Sequence, residues 1–252
     1  MSYPNFENMT LLVPAAGLGT RMGLASSPKA LILFQGRELI SWATQAFVEF
    51  LSRMVIVVRK EHEPAFESYI KKNNQSTTKF AYQSKPSGTA YAVMTGLKQI
   101  DSEWVVLVWG DHVGASLAPA IELLTKTEGC DADFILPIVY RDKPYVYFIN
   151  EGTRISLEFR ETKHGAQVKD FGYSDCGFFI FKNKPVLNYL LTKLQHEGSE
   201  FPDEVNFLSL FAQMEKSGIV FEKVVLKDPR ISIGINSPEE LQILKQKVIF
   251  GH

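Results

Sequence analysis

In the first half of the chain, short unbroken apolar runs alternate with amphipathic stretches of helical period. Leu11–Pro14, Met54–Val58, Lys79–Tyr82, Val105–Trp109 and Phe134–Val139 read as strands. Runs without an apolar/polar alternation are those of strands covered on both faces. Leu39–Leu51, Pro64–Lys72, Thr89–Ile100 and Leu117–Thr127 lie between them and carry helical spacing. Strands and helices in strict alternation predict βαβ units, hence a mixed, mostly parallel central sheet with helices on both faces.

Beyond about residue 140 the pattern changes. Tyr145–Ile149, Arg154–Phe159 and Gly177–Phe181 read as strands separated by polar, Gly-containing turns, with no helix between them. Helices are expected at Pro185–Gln195 and Asp203–Lys216, and a strand near Val220–Leu226. The last helix has a clear start: Ser237-Pro238-Glu239-Glu240 offers an N-cap, a Pro in the first turn and a capping-box Glu. No linker, repeat or low-complexity tract interrupts the 252 residues. The expectation is one domain over 1–252, with a nucleotide-binding half at about 1–140 and an acceptor-covering half at about 141–252. In open α/β sheets ligands bind beyond the carboxyl ends of the strands, so the loops there are where chemistry is sought.

Composition narrows the partners. Hydrophobic residues make up 45% and charged residues 22%, with a net charge of −1, so there is no basic field for nucleic acid or an anionic membrane. The N-terminal apolar stretch lacks a basic lead and is too short to span a bilayer, which points to the cytoplasm. Cys130 and Cys176 lack a CxxC spacing and read as small core residues. Homo-oligomer formation is left open.

The first strand runs into Ala15-Ala16-Gly17-Leu18-Gly19-Thr20-Arg21-Met-Gly23, followed by Ser27-Pro28-Lys29. Small residues after a strand let backbone N–H groups close on an anion, and Arg21 and Lys29 offer two cations to a polyphosphate. The loop lacks the Gly-Lys-Ser/Thr of a Walker A motif, and its GxGxxxG spacing departs from the dinucleotide fingerprint. With Arg21 and Pro28-Lys29 it resembles the opening of the sugar-phosphate nucleotidyltransferase family, the N-acetylglucosamine-1-phosphate uridylyltransferases and glucose-1-phosphate thymidylyltransferases among them. The resemblance implies a Rossmann-like, GT-A-like nucleotide-diphospho-sugar transferase fold. It also implies an enzyme that joins a nucleoside triphosphate to a small phosphorylated substrate with Mg²⁺ as cofactor.

The likeness continues downstream. Gln83-Ser-Lys-Pro-Ser-Gly88-Thr89-Ala90 is similar to the family's Q-x4-G-T-A segment, in which the Gln amide and Gly backbone read a pyrimidine edge. Gly110-Asp111, closing the strand at 105–109, resembles the segment that supplies the metal-binding Asp; Trp109 departs from the small residue expected before it. Ile233-Gly234-Ile235-Asn236-Ser-Pro-Glu resembles the segment whose Asn or Asp is the second metal ligand. By this likeness Asp111 and Asn236 hold Mg²⁺, the loop amides and Arg21 carry the pyrophosphate, and Lys29 bridges to the acceptor phosphate. Asp175, Glu161 and Glu204 are the acceptor-binding candidates, and His112 is assigned no role.

One family feature is missing. The usual P-x-G-Y-G is replaced by Lys143-Pro144-Tyr145-Val146-Tyr147, with no glycine until Gly152. The opening also resembles methylerythritol-phosphate cytidylyltransferases, so a cytidylyltransferase acting on a non-sugar phosphate is the alternative. A non-catalytic nucleotide-binding module is the alternative of another class. No left-handed β-helix repeat follows, so the acetyltransferase half of the bifunctional uridylyltransferases is not expected.

Overall fold

The computed structural model describes residues 6–17, 19, 27–84, 87–144, 147–151, 154–158, 170–195 and 204–246. Strands β1 (Met9–Pro14), β4 (Met54–Val58), β5 (Thr78–Tyr82) and β6 (Trp104–Val108) form the first half of the main sheet, all parallel in the order β5-β4-β1-β6. The two-stranded hairpin β2 (Leu33–Phe34) and β3 (Arg37–Glu38) stands apart from it.

The apolar runs predict this parallel half because both of their faces are buried. Leu11, Val13, Ile56, Val58, Val106 and Val108 face one core, against Ile40, Ala43 and Phe47 of α1 (Leu39–Val48), Phe66 of α2 (Glu63–Lys72) and Leu123 of α4 (Ala120–Thr125). Leu12, Val55, Val57, Val105 and Leu107 face the other, against α3 (Thr89–Leu97), α5 (Asn183–Gln195) and α6 (Phe211–Lys216). Each fully buried Val or Leu contributes roughly 1.5–3 kcal/mol, so the two cores fix the sheet before any polar contact is counted.

The second half is mixed. β7 (Phe134–Asp142) pairs antiparallel with β10 (Phe171–Asp175) and β11 (Phe178–Lys182), and parallel with β12 (Phe221–Leu226). β11 continues antiparallel to β6 and joins the halves, while β8 (Tyr147–Glu151) and β9 (Arg154–Glu158) form a hairpin beside β10. The pairing of β10 and β11 with β7 slips by two residues around Cys176-Gly177, where Gly177 has φ +74. A bulge of this kind needs a left-handed residue, which glycine supplies.

Three expectations need correction. β10 was not among the expected strands. The helix expected over Asp203–Lys216 is instead extended at 204–206, a 3-10 turn at Phe207–Leu210 and then α6. The Asn206 side chain accepts from Leu208 N–H and starts the turn, while Val205 exchanges backbone hydrogen bonds with Ser87 and Ala90. The segment expected as a helix over Leu117–Thr127 is a 3-10 turn at Val113–Leu117 followed by α4, with Pro119 at the break. Among the described residues no helix is long and apolar enough to cross a membrane.

Candidate active site

The described part of the glycine-rich loop leaves β1 at its carboxyl end. Ala15 and Ala16 are buried, and Ala15 N–H donates to Val57 O at 2.8 Å, so the loop starts anchored to β4. Gly17 is exposed, and Gly19 has φ +60. Leu18, Thr20 and Arg21 lie outside the described residues, as does Glu161.

The chain re-enters at Lys29, in a 3-10 turn over Lys29–Leu31. Ala30 of this turn is buried against the end of β6, where a Cβ on Gly110 would stand 3.2 Å from the Ala30 Cβ. That close approach brings Lys29 to Asp111: Nζ lies 2.5 Å from Oδ2 and donates to Asn236 Oδ1 at 3.3 Å. Three residues separated by 82 and 207 positions in sequence thus meet at one point. About a fifth of the Lys29 side chain and a quarter of the Asp111 side chain remain exposed, so ligand can reach them. Burial is the largest influence on the Asp111 carboxyl and pushes it upward. The Lys29 ammonium and the adjoining His112 imidazole act against it, and together they hold the carboxyl well below the usual carboxylate range.

Asn236 is placed by what surrounds it. Ile235 is fully buried in a small core with Phe34, Leu39, Trp42 and Val113, and its N–H donates to Asp111 O at 3.0 Å. Ser237 caps α7 (Pro238–Gln246) through a 3.2 Å bond from Glu240 N–H. The Glu240 carboxylate reaches back one residue further than in a capping box and accepts from Asn236 N–H at 2.5 Å. The helix start expected from sequence therefore also pins a site residue.

The second loop is built differently. Gln83 N–H donates to Val58 O at 3.0 Å, and its amide Nε2 donates to Gly88 O at 3.3 Å. Gly88 takes φ +91, and a Cβ there would stand 2.4 Å from Val205 O. Thr89 opens α3 and its Oγ1 accepts from Phe207 N–H at 2.8 Å. Glu204 is exposed and directly precedes Val205, which exchanges backbone hydrogen bonds with Ser87 and Ala90. Asp175 is buried and its Oδ1 accepts from Gly177 N–H at 2.9 Å, which ties the bulge. Trp109 packs edge-on against Phe179 and Phe207 at 6.1 and 6.3 Å, an aromatic wall continuous with the core.

Sequence reasoning passed over His112, whose ring lies against Gly177 and Gly234. The available signal was the His beside the carboxylate of a strand-ending Gly-Asp. Asp133, between Asp131-Ala132 and β7, pairs with Lys182 at 3.2 Å and accepts from Val220 N–H, so its carboxylate serves the fold.

Asp111 and Asn236 present two hard oxygens to one shared cationic partner, the donor chemistry that suits a divalent cation completed by phosphate oxygens and water. Among the described residues no group of three His, Cys, Asp or Glu side chains gathers as a self-sufficient metal cage.

Comparison with known proteins identifies the family and its fold. The model of the MobA-like NTP transferase domain matches residues 11–168. The bifunctional protein GlmU of Caldicellulosiruptor saccharolyticus is 26% identical over 249 residues, covering 96% of this chain; the chain spans about half of that relative, 52% of its length. Among solved structures, the nucleoside-diphosphate-sugar pyrophosphorylase from Vibrio cholerae superposes with a TM-score of 0.70 at 14% identity, covering 94% of this chain and 100% of that one. The inositol-1-phosphate CTP transferase from T. maritima gives 0.67 at 17%, covering 96% and 98%. The chain is a nucleotidyltransferase and belongs to the MobA-like NTP transferase family.

Proposed function

We propose that the chain is a Mg²⁺-dependent nucleotidyltransferase that condenses a nucleoside triphosphate, a pyrimidine one by preference, with a sugar 1-phosphate, giving an NDP-sugar and pyrophosphate. The observation that carries this reading is the meeting of Lys29, Asp111 and Asn236 at the carboxyl ends of β1 and β6. A phosphate oxygen of the acceptor attacks the α-phosphorus; the new P–O bond forms as the α–β bridging P–O bond breaks and pyrophosphate leaves. A phosphate monoester has a second pKa of about 6 and is largely ionised at neutral pH, so no general base is needed. Catalysis is then positioning and charge stabilisation.

Asp111 and Asn236 would hold Mg²⁺, which supplies charge neutralisation at the phosphates and fixes their geometry. Lys29, which pairs with Asp111 and Asn236, would bridge to the acceptor phosphate. Arg21 and the loop amides from Gly17 onward take the charge of the departing pyrophosphate. Gln83 offers an amide donor and acceptor to a base edge, with the Gly88 backbone beside it.

A second reading is a cytidylyltransferase for a non-sugar phosphate, such as phosphocholine. It is favoured by Lys143–Tyr147, which carries none of the glycines of P-x-G-Y-G, and by the likeness to the inositol-1-phosphate CTP transferase. A panel of sugar 1-phosphates, phosphocholine and inositol phosphate separates the two by which one supports pyrophosphate release.

The test of the reading itself needs no acceptor. Thermal midpoints are measured with Mg²⁺ and each of UTP, CTP, dTTP, ATP and GTP. A ligand at a hundred times its dissociation constant stabilises by about 2.7 kcal/mol, which for a chain of this size raises the midpoint by roughly 5–10 °C. A Mg²⁺-dependent rise with one pyrimidine triphosphate, lost in Lys29→Ala, supports the reading. A rise with NADPH and with none of the triphosphates overturns it.

A further inference from the structure

Three segments meet beside the candidate site: the end of β6 with Asp111, the β10–β11 bulge at Gly177, and residues 233–236 with Asn236. Backbone hydrogen bonds lace them together. Trp109 N–H donates to Gly177 O at 3.0 Å, Gly114 N–H to Ile233 O at 2.9 Å, and Ile235 N–H to Asp111 O at 3.0 Å. His112 fills the space left where the three meet.

The fit of its ring is close on two sides. A Cβ on Gly177 would stand 2.1 Å from His112 Cγ and Cδ2, and a Cβ on Gly234 would stand 3.0 Å from Cε1 and 3.1 Å from Nδ1. Both positions face the imidazole with bare backbone, and any other residue at Gly177 would displace it. The third side of the ring faces Asp111, with Nδ1 3.8 Å from Oδ1, too long for a direct hydrogen bond but within electrostatic reach. The His112 side chain is 19% exposed, so most of its surface serves packing. A planar ring held between two backbones is a spacer of fixed width, and close-packed interiors transmit displacements of this kind instead of absorbing them.

We propose that His112 is a positioning residue: its imidazole, seated between Gly177 and Gly234, sets the separation of Asp111 and Asn236. Gly234 lies two residues before Asn236, so the ring's width fixes how far the amide oxygen stands from the carboxylate. His112 touches no reacting atom in this scheme and acts through the two ligands. The inference rests on the reading of Asp111 and Asn236 as the oxygen pair that holds Mg²⁺.

The experiment follows metal binding without turnover. Thermal midpoints of the wild type, His112→Ala, Gly234→Ala, the double variant and Asp111→Asn are measured with UTP and with CTP across a range of Mg²⁺ concentrations. Loss of a residue that orients metal ligands typically weakens metal affinity 10–100-fold, so His112→Ala should raise the Mg²⁺ concentration of half-maximal effect by about that factor. Gly234→Ala, which crowds the ring, should raise it several-fold in the wild type and not at all in the His112→Ala background. A residue that only fills space would lower the metal-free midpoint and leave the Mg²⁺ dependence where it was. An unchanged Mg²⁺ dependence in His112→Ala therefore overturns the proposal, as does an equal effect of Gly234→Ala in both backgrounds. If Asp111→Asn also leaves it unchanged, or if the wild type responds to neither triphosphate, the reading of the site falls as well. Should His112→Ala not fold, His112→Asn gives the same comparison, since it keeps a nitrogen near the Nδ1 position and removes the far edge of the ring.

Discussion

Lys29 and Asp111 offer a perturbation whose size follows from the geometry. At 2.5 Å and an effective dielectric of about 20, the attraction between two unit charges is about 7 kcal/mol before desolvation is counted. Taking both groups out of water offsets most of that. Removing one partner of a fully buried pair costs roughly 3–5 kcal/mol, whereas exposed pairs are worth about 0–1. With 19% and 25% of the two side chains open to solvent, Lys29→Met should cost about 2 kcal/mol, a midpoint fall of roughly 4–8 °C. A double-mutant cycle with Asp111→Asn, read by urea unfolding, isolates the pair from losses each residue makes elsewhere. A coupling of about 1–2 kcal/mol is expected at pH 7. The Asp111 carboxyl is held below its ordinary value of 3.8, so the coupling exists above that value and fades as pH falls through the lower folded-state value. It should be the same at pH 5 as at pH 7 and shrink below about pH 4. Single-variant costs that add to within about 0.5 kcal/mol at pH 7 would refute the claim that these two side chains are energetically joined.

Other perturbations probe the neighbouring elements. Gly88→Ala puts a Cβ 2.4 Å from Val205 O at φ +91, so it should destabilise by at least about 1–3 kcal/mol in urea unfolding and abolish the triphosphate-induced midpoint rise. Asp175→Ala leaves the buried Gly177 N–H without its acceptor and should cost about 1–3 kcal/mol, whereas Asp175→Asn keeps a carbonyl there and should unfold close to wild type. If Asp175 also contacts the acceptor, the Asn variant raises KM for that substrate alone. Trp109→Ala opens a gap beside Phe179 and Phe207 and should cost about 3 kcal/mol, measured as a lower urea midpoint at unchanged m-value.

What the sequence made legible and what it hid divide along physical lines. β1, β4, β6 and β7 are plain in the sequence because a strand buried on both faces must be apolar throughout, and the burial of Leu11, Ile56, Val106 and Ile135 bears this out. β10 was not, since Phe171-Gly172-Tyr173-Ser174-Asp175 mixes an exposed aromatic, a glycine and two buried polar residues, and its pairing with β7 and β8 is what makes it a strand. The extended run at 204–206 was hidden for a related reason: its apolar spacing suits a helix, but its backbone partners are Ser87 and Ala90, far away in sequence. The same division holds at the site. Lys29, Asp111 and Asn236 stand in local motifs, Lys29 after the glycine-rich loop, Asp111 just past a strand's carboxyl end and Asn236 ahead of a capped helix, so each could be picked out from its own stretch. The seating of His112 could not. A histidine after an aspartate carries no local mark of what it packs on, and neither Gly177, at the start of an expected strand, nor Gly234, in the stretch ahead of Asn236, points to it. The φ of +74 already calls for glycine at 177, but the close fit of the imidazole against Gly177 and Gly234 exists only once the end of β6, the bulge and the 233–236 segment are stacked, because it is a constraint on volume. Ligand atoms are chosen for charge and donor type, which a motif can carry. The distances between them are set by packing among segments remote in sequence, and that information lies in no single stretch of the chain.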